Sequence, residues 1–244
     1  MPQESFVKRT YSKKSILVMT ACLAGIAMLL VFGGKAMGNG HAYGASLLVI
    51  VLAMVPFFFS FEHRRPQARE LVTLAVLCAI AVAARLLFIW APHFKPMTAI
   101  IIIVGAALGP QAGFMTGAMA AFVSNFFFGQ GPWTPWQMLA FGMAGFLAGI
   151  FCRSGMISRR RIPLSIFGAV LVMAIVGPLQ DTCSLFLMTN TITPASAGAI
   201  YLSGVPANAV HALATFLTLL LVSQPMFEKL DRLKQKYGIL KESA

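Results

Sequence analysis

Apolar residues run along this chain in long blocks, broken by short clusters of arginine and lysine or by Gly/Pro turns. With roughly 20 residues needed to cross a bilayer as helix, the blocks predict eight spans, near Ser15–Phe32, Ala45–Phe61, Glu70–Ala91, Met97–Leu108, Gln111–Phe128, Pro135–Cys152, Pro163–Met188 and Pro206–Gln224. Two of these regions are of awkward length. Met97–Leu108 supplies only about 18 Å of helix against ~30 Å of hydrocarbon, so a short helix beside a cavity is expected there. Gly204-Val205-Pro206 interrupts another apolar stretch. That break predicts Ala195–Ser203 outside or re-entrant and a last span that starts at Pro206.

Small residues recur every fourth position in two places. Gly105, Gly109, Gly113 and Gly117 form one ladder, and Ala75, Ala79 and Ala83 form another. Such stripes let helices approach closely within lipid. For the alanines, packing inside this bundle and docking against another membrane protein fit the pattern equally well. Between helical blocks lies Gly129-Gln130-Gly131-Pro132-Trp133-Thr134-Pro135-Trp136-Gln137, an uncharged Gly/Pro/Trp turn suited to the membrane surface.

Composition turns the pattern into a class. With 58% hydrophobic and 11% charged residues and a mean hydropathy of +0.80, the chain cannot clothe itself as a soluble globule. The fold class is an all-α integral membrane protein of about eight transmembrane helices. Its expected organisation is a basic tail and two-helix hairpin over 1–65, a six-helix core over 66–226 and a basic tail over 227–244. The net charge of +12 does not point to nucleic acid, because the basic residues sit in separate clusters between apolar runs rather than on one face. Those clusters, Lys8 to Lys14, Arg64 to Arg69, Arg153 to Arg161 and Lys229 to Lys241, all fall on one predicted side, which the positive-inside rule makes cytoplasmic, with both termini there. The first apolar run also resembles a signal peptide, but its length of about 19 residues and the lack of a small-x-small cleavage site favour a retained hairpin. Cys22, Cys78, Cys152 and Cys183 lack metal-ligand spacing and read as small core residues.

Ionisable groups inside a span cost roughly 2.5–3.5 kcal/mol at mid-helix and so mark candidate sites. Arg85 and Asp181 both lie about 10 Å below the end opposite the basic clusters. Either they form an ion pair that holds two helices in register, or they face a cavity and contact a ligand. Gln180, Asn208, His211 and Asn125 fall near the same depth, where interhelical hydrogen bonding and ligand contact are both open readings. Trp133 and Trp136 suit interfacial anchors or a lid over a planar ligand.

From Arg69 onward, about three quarters of the chain resembles the membrane-embedded substrate-binding subunit, or S component, of an energy-coupling factor (ECF-type) vitamin transporter. The residues that carry the resemblance are Ala75/Ala79/Ala83, Phe94-Lys95-Pro96-Met97-Thr98-Ala99, Leu108-Gly109-Pro110-Gln111-Ala112-Gly113-Phe114 and, most specifically, Phe126 through Gln137. The resemblance implies a six-helix binding protein that hydrolyses nothing, associates with a transmembrane coupling subunit and two cytoplasmic ATPases, and sits in a bacterial plasma membrane. It implies docking of the coupling subunit on Ala75, Ala79 and Ala83. It also implies capture of a vitamin by the loops His93–Pro96 and Gly129–Gln137, with His93, Lys95, Gln130, Trp133, Trp136 and Gln137, and by the polar groups on the last two spans, Gln180, Asp181, Asn208 and His211; Arg85 and Asn125 join these candidates by their depth. The Ser15–Phe61 hairpin departs from the six-helix pattern. The roomy Trp/Gly/Pro mouth inclines the substrate reading towards a corrinoid such as cobalamin, with another vitamin or a nucleobase precursor as the alternative. No cofactor is expected. An ion-coupled secondary transporter is the rival class, but it requires repeats and several membrane acids, whereas Asp181 is the only acid well inside a span.

Overall fold

A computed structural model describes residues 42–63, 68–189 and 192–237. These form seven helices, counting as one the stretch that a π-turn interrupts: α1 (Ala42–His63), α2 (Ala68–Leu87), α3 (Met97–Leu108), α4 (Pro110–Phe128), α5 (Thr134–Arg153), α6 (Arg161–Met188, with the π-turn at Val172–Val176) and α7 (Pro194–Tyr237). The predicted span Ser15–Phe32 lies outside the described residues, so eight spans are not established. Four helices, α2, α5, α6 and α7, are long and apolar enough to cross a membrane. Less than half of each crossing faces the interior, and outward side chains such as Val72, Val170, Leu202 and Leu221 are exposed. An apolar exterior of this kind needs lipid around it.

The short helix α3 is the centre of the bundle. All twelve of its residues are buried, ringed by α2, α4, α5 and α7. Its sequence is apolar all round, as a helix with neighbours on every side requires. Length sets its position: about 18 Å of helix cannot reach both membrane faces.

Gly109 joins α3 to α4 with φ of 100°, a conformation that a side chain strongly disfavours, and Pro110 starts α4 where its missing N–H costs nothing. The turn folds the glycine ladder back on itself. Gly105 of α3, Gly113 of α4 and Gly145 of α5 then meet backbone to backbone: a Cβ on Gly113 would lie 2.6 Å from the Gly105 Cα and 2.6 Å from the Gly145 carbonyl carbon. Lower on α4, Gly117 abuts the backbone of Phe141. The ladder is therefore one seam binding three helices.

The break read at Gly204-Val205-Pro206 needs correction, and with it the placement of Ala195–Ser203 outside the last span. Pro206 does not start the last helix; α7 runs unbroken from Pro194 to Tyr237, 44 residues or about 66 Å, through both Pro206 and Pro225. Gly204 marks close packing, since a side chain there would collide with the carboxylate of Asp181 on α6. In α6, by contrast, Pro178 comes two residues after the π-turn, beyond Gly177. A proline cannot donate to the carbonyl four residues earlier, and the widened turn absorbs that lost bond.

At one end of the bundle lie Arg69, Arg153, Arg159–Arg161 and the final turns of α7. There Lys234 donates its Nζ–H to the Ala107 carbonyl at the C-terminus of α3, where the helix dipole favours a cation. Gln224 donates to the Arg159 carbonyl at 2.6 Å. Together they brace this basic end.

Candidate functional site

At the opposite end lie the buried polar side chains of Arg85, Thr98, Ser124, Asn125, Thr134 and His211. Arg85, in the last turn of α2, points inward with Leu74, Leu77 and Ala81 and is only 6% exposed. Its Nη1 donates to Ser124 Oγ at 2.5 Å and to Asn125 Oδ1 at 3.0 Å, both on α4. The Phe128 ring covers the guanidinium at 4.2 Å. From Asn125 the network continues: Nδ2 donates to Thr134 Oγ1 at 3.0 Å, Thr134 donates to Gln130 Oε1 at 2.9 Å, and Gln130 Nε2 donates to the Phe122 carbonyl at 3.0 Å. The Gly/Pro/Trp turn is thus tied to α2 and α4 through side chains.

Lys95 precedes α3 in the turn that links it to α2 and is half-buried. Burial, with the nearby Arg85 guanidinium as the smaller influence, pushes its ammonium from 10.5 down to about 8. His93, two residues earlier, is exposed and holds a positive φ of 62°, uncommon for a residue with a side chain. In the first turn of α3, Thr98 shares a 2.7 Å hydrogen bond with His211 of α7, and both are buried. Lys95, Arg85 and His93 all lie within electrostatic reach of His211. This end is electropositive.

Arg85 and Asp181 do not pair. Asp181 instead accepts from Asn208 Nδ2 at 2.7 Å across the α6–α7 contact, and next to it Thr182 shares a 2.6 Å hydrogen bond with Tyr201. Matching depth on two helices was insufficient to predict contact, because Arg85 turns towards α4 while Asp181 turns towards α7. Gln180 is half-buried beside Asp181, and its backbone carbonyl accepts from Ser184. The two tryptophans also diverge. Trp133 stays at the surface, folded against Gly131, whereas Trp136 is 4% exposed and packs on Phe186 with ring centroids 5.9 Å apart. Among the described residues, Trp136 Nε1, Gln137 Oε1 and Arg85 Nε are buried without a hydrogen-bond partner.

The structure therefore gathers Arg85, Asn125 and Gln130 into one network, His93, Lys95 and His211 beside it, and Asp181 with Asn208 on another contact. Sequence reasoning missed Ser124, Thr134, Thr98, Thr182 and Tyr201. Hydroxyls are common in membrane helices, so they gave little signal, although Thr134 stands four residues after Gln130. Tyr201 was hidden by the misplaced break at Pro206. The alanines Ala75, Ala79 and Ala83 are all exposed on the outer face of α2, between Val72, Val76 and Ile80.

A helical bundle with an apolar exterior, one basic end and one polar, cationic end defines a multi-pass membrane protein. The family model for the ECF-type riboflavin transporter S component matches residues 66–226, more than half of the chain, and the chain belongs to that family, one of non-enzymatic transport subunits. A UPF0397 protein of Vibrio atlanticus is 26% identical over 118 residues, covering 46% of this chain and 64% of that protein. A UPF0397 protein of Aliivibrio salmonicida is 28% identical over 106 residues, 41% of this chain and 56% of that protein. The chain thus spans less than two thirds of the curated relatives it matches. No solved structure matches it.

Proposed function

We propose that this chain is the substrate-capturing subunit of an ECF-type importer, working with a transmembrane coupling subunit and two cytoplasmic ATPases in a bacterial plasma membrane. The observation that carries this reading is the exposed alanine face of α2, a smooth apolar strip left uncovered by the described helices, in a chain of this family. By the positive-inside rule the basic end is cytoplasmic, and both termini lie there. Cargo then enters at the opposite end, among His93, Lys95, Gln130, Trp133, Trp136 and Gln137 on the loops and Arg85, Asn125, Gln180, Asp181, Asn208 and His211 on the helices.

For the cargo, a flavin-like vitamin replaces the corrinoid expected from sequence. The matched family is described by riboflavin, and nothing in the comparisons favours a corrinoid. Trp136 Nε1 and Gln137 Oε1 supply an unpartnered donor and an unpartnered acceptor beside aromatic surface, the kinds of group that an imide-bearing ring would satisfy.

Co-expression with a coupling subunit and two ATPases, followed by ATP-dependent uptake into vesicles, tests the transport reading. Accumulation by this chain alone, driven by a proton or sodium gradient, would overturn it. Mass spectrometry and absorbance of the compound that co-purifies decide the cargo, since flavins and corrinoids have distinct visible bands.

A further inference from the structure

Among the described residues, two cations at the far end, the buried Arg85 and the half-buried Lys95, lack a counter-charge. Arg85 spends Nη1 on neutral partners, Ser124 and Asn125, and its Nε has none. Lys95 has neither a hydrogen bond nor an ion pair among the described residues, and the charges acting on it and on neighbouring His211 are all basic. Asp181 is engaged by Asn208. Burying a charge without a partner is expensive, and two like charges close together compound the cost. Such an arrangement suits a site completed by an anion from outside, which would recover the penalty on binding.

We propose that Arg85 and Lys95 form a receptor for an anionic group, a carboxylate or a phosphate, on the transported compound. This rests on the reading that cargo enters at this end. Phe128 closes one face of the Arg85 guanidinium and Ser124 and Asn125 hold one terminal nitrogen, so the unpartnered Nε edge is left for the anion. Lys95, on the loop rather than on a helix, supplies a second donor from the side of the mouth. Within the flavin-like class, the cargo is thus one that bears a carboxylate or a phosphate ester rather than the neutral vitamin.

The test uses the full chain, purified without cargo, with inorganic phosphate as the probe at constant ionic strength against chloride. Phosphate raises the melting temperature of the native chain, Lys95→Met abolishes the response, and Lys95→Arg retains it. With no anion present, Lys95→Met melts at or above the native temperature, because an uncompensated charge has been removed. A structural lysine predicts the reverse, a variant that melts lower and responds to phosphate as before, and that result overturns the proposal. So does the absence of any phosphate response in the native chain.

Lipid phosphate is the other source of the same chemistry. Phosphatidylcholine nanodiscs with and without phosphatidylglycerol separate the two: stabilisation by the anionic lipid alone, lost in Lys95→Met, assigns the site to a headgroup and overturns the cargo reading. ATP-dependent uptake of a neutral compound, unchanged in Lys95→Met, overturns the anion receptor and leaves the transport reading standing.

Discussion

Two stripes of small residues at the same spacing meet opposite fates in this molecule. Gly105, Gly113 and Gly117 vanish into a seam where three helix backbones touch, while Ala75, Ala79 and Ala83 face outward from α2. Spacing alone says only that a helix offers a smooth face. Whether that face is filled depends on the rest of the helix: on α2, Leu74, Leu77, Ala81 and Arg85 already point into the bundle, so the alanines on the other side have nothing internal left to touch. On α4 the glycines are themselves the inward face. Residue type agrees with this division. Glycine permits backbone contact too close for any Cβ, which suits permanent packing, whereas alanine leaves a shallow surface that a partner can meet and leave.

The largest effect should come from filling the seam. Gly145→Leu drives a side chain into the Gly113 backbone, which has no flexible end to yield, and it should cost more than about 3 kcal/mol. Thermal unfolding in detergent checks this. A variant within ~1 kcal/mol of the native chain would mean that the three helices do not touch as described. Gly109→Ala comes next, with a cost of about 1–3 kcal/mol, because the substituted residue must hold φ near 100° while Pro110 fixes the start of α4. Here strain replaces collision, since nothing surrounds the position.

The helical architecture was legible in the sequence because long apolar blocks allow only one backbone solution in lipid. Met97–Leu108 was placed at both ends, since lysine and proline bound it on one side and Gly109-Pro110 on the other. Pro206 misled, because a proline inside a membrane helix is tolerated where neighbours support it, and α6 packs against that stretch through Asp181 and Gly204. The polar end was only partly legible. Residue types and depths located Arg85, Asn125 and Asp181 near one end, but partner choice depends on helix rotation, which one-dimensional depth does not contain. Ser124 lies beside Asn125 and was still invisible, because its role arises only when α2 brings a guanidinium to it.

The smallest effect on stability, and the sharpest test of the contrast, belongs to Ala79→Leu. The side chain is exposed on an apolar face, so unfolding should change by no more than about 0.5 kcal/mol. Association with a coupling subunit should nevertheless fall, because a bulky residue at the middle of the stripe holds the two helices apart; co-purification measures that loss. The two readouts must separate. If Ala79→Leu instead destabilises the isolated chain as Gly145→Leu does, the alanine stripe packs against another part of this same polypeptide, and the distinction between an inner seam and an outer docking face collapses. If it changes neither stability nor association, the face is simply lipid-exposed, and a coupling subunit must dock elsewhere on the bundle.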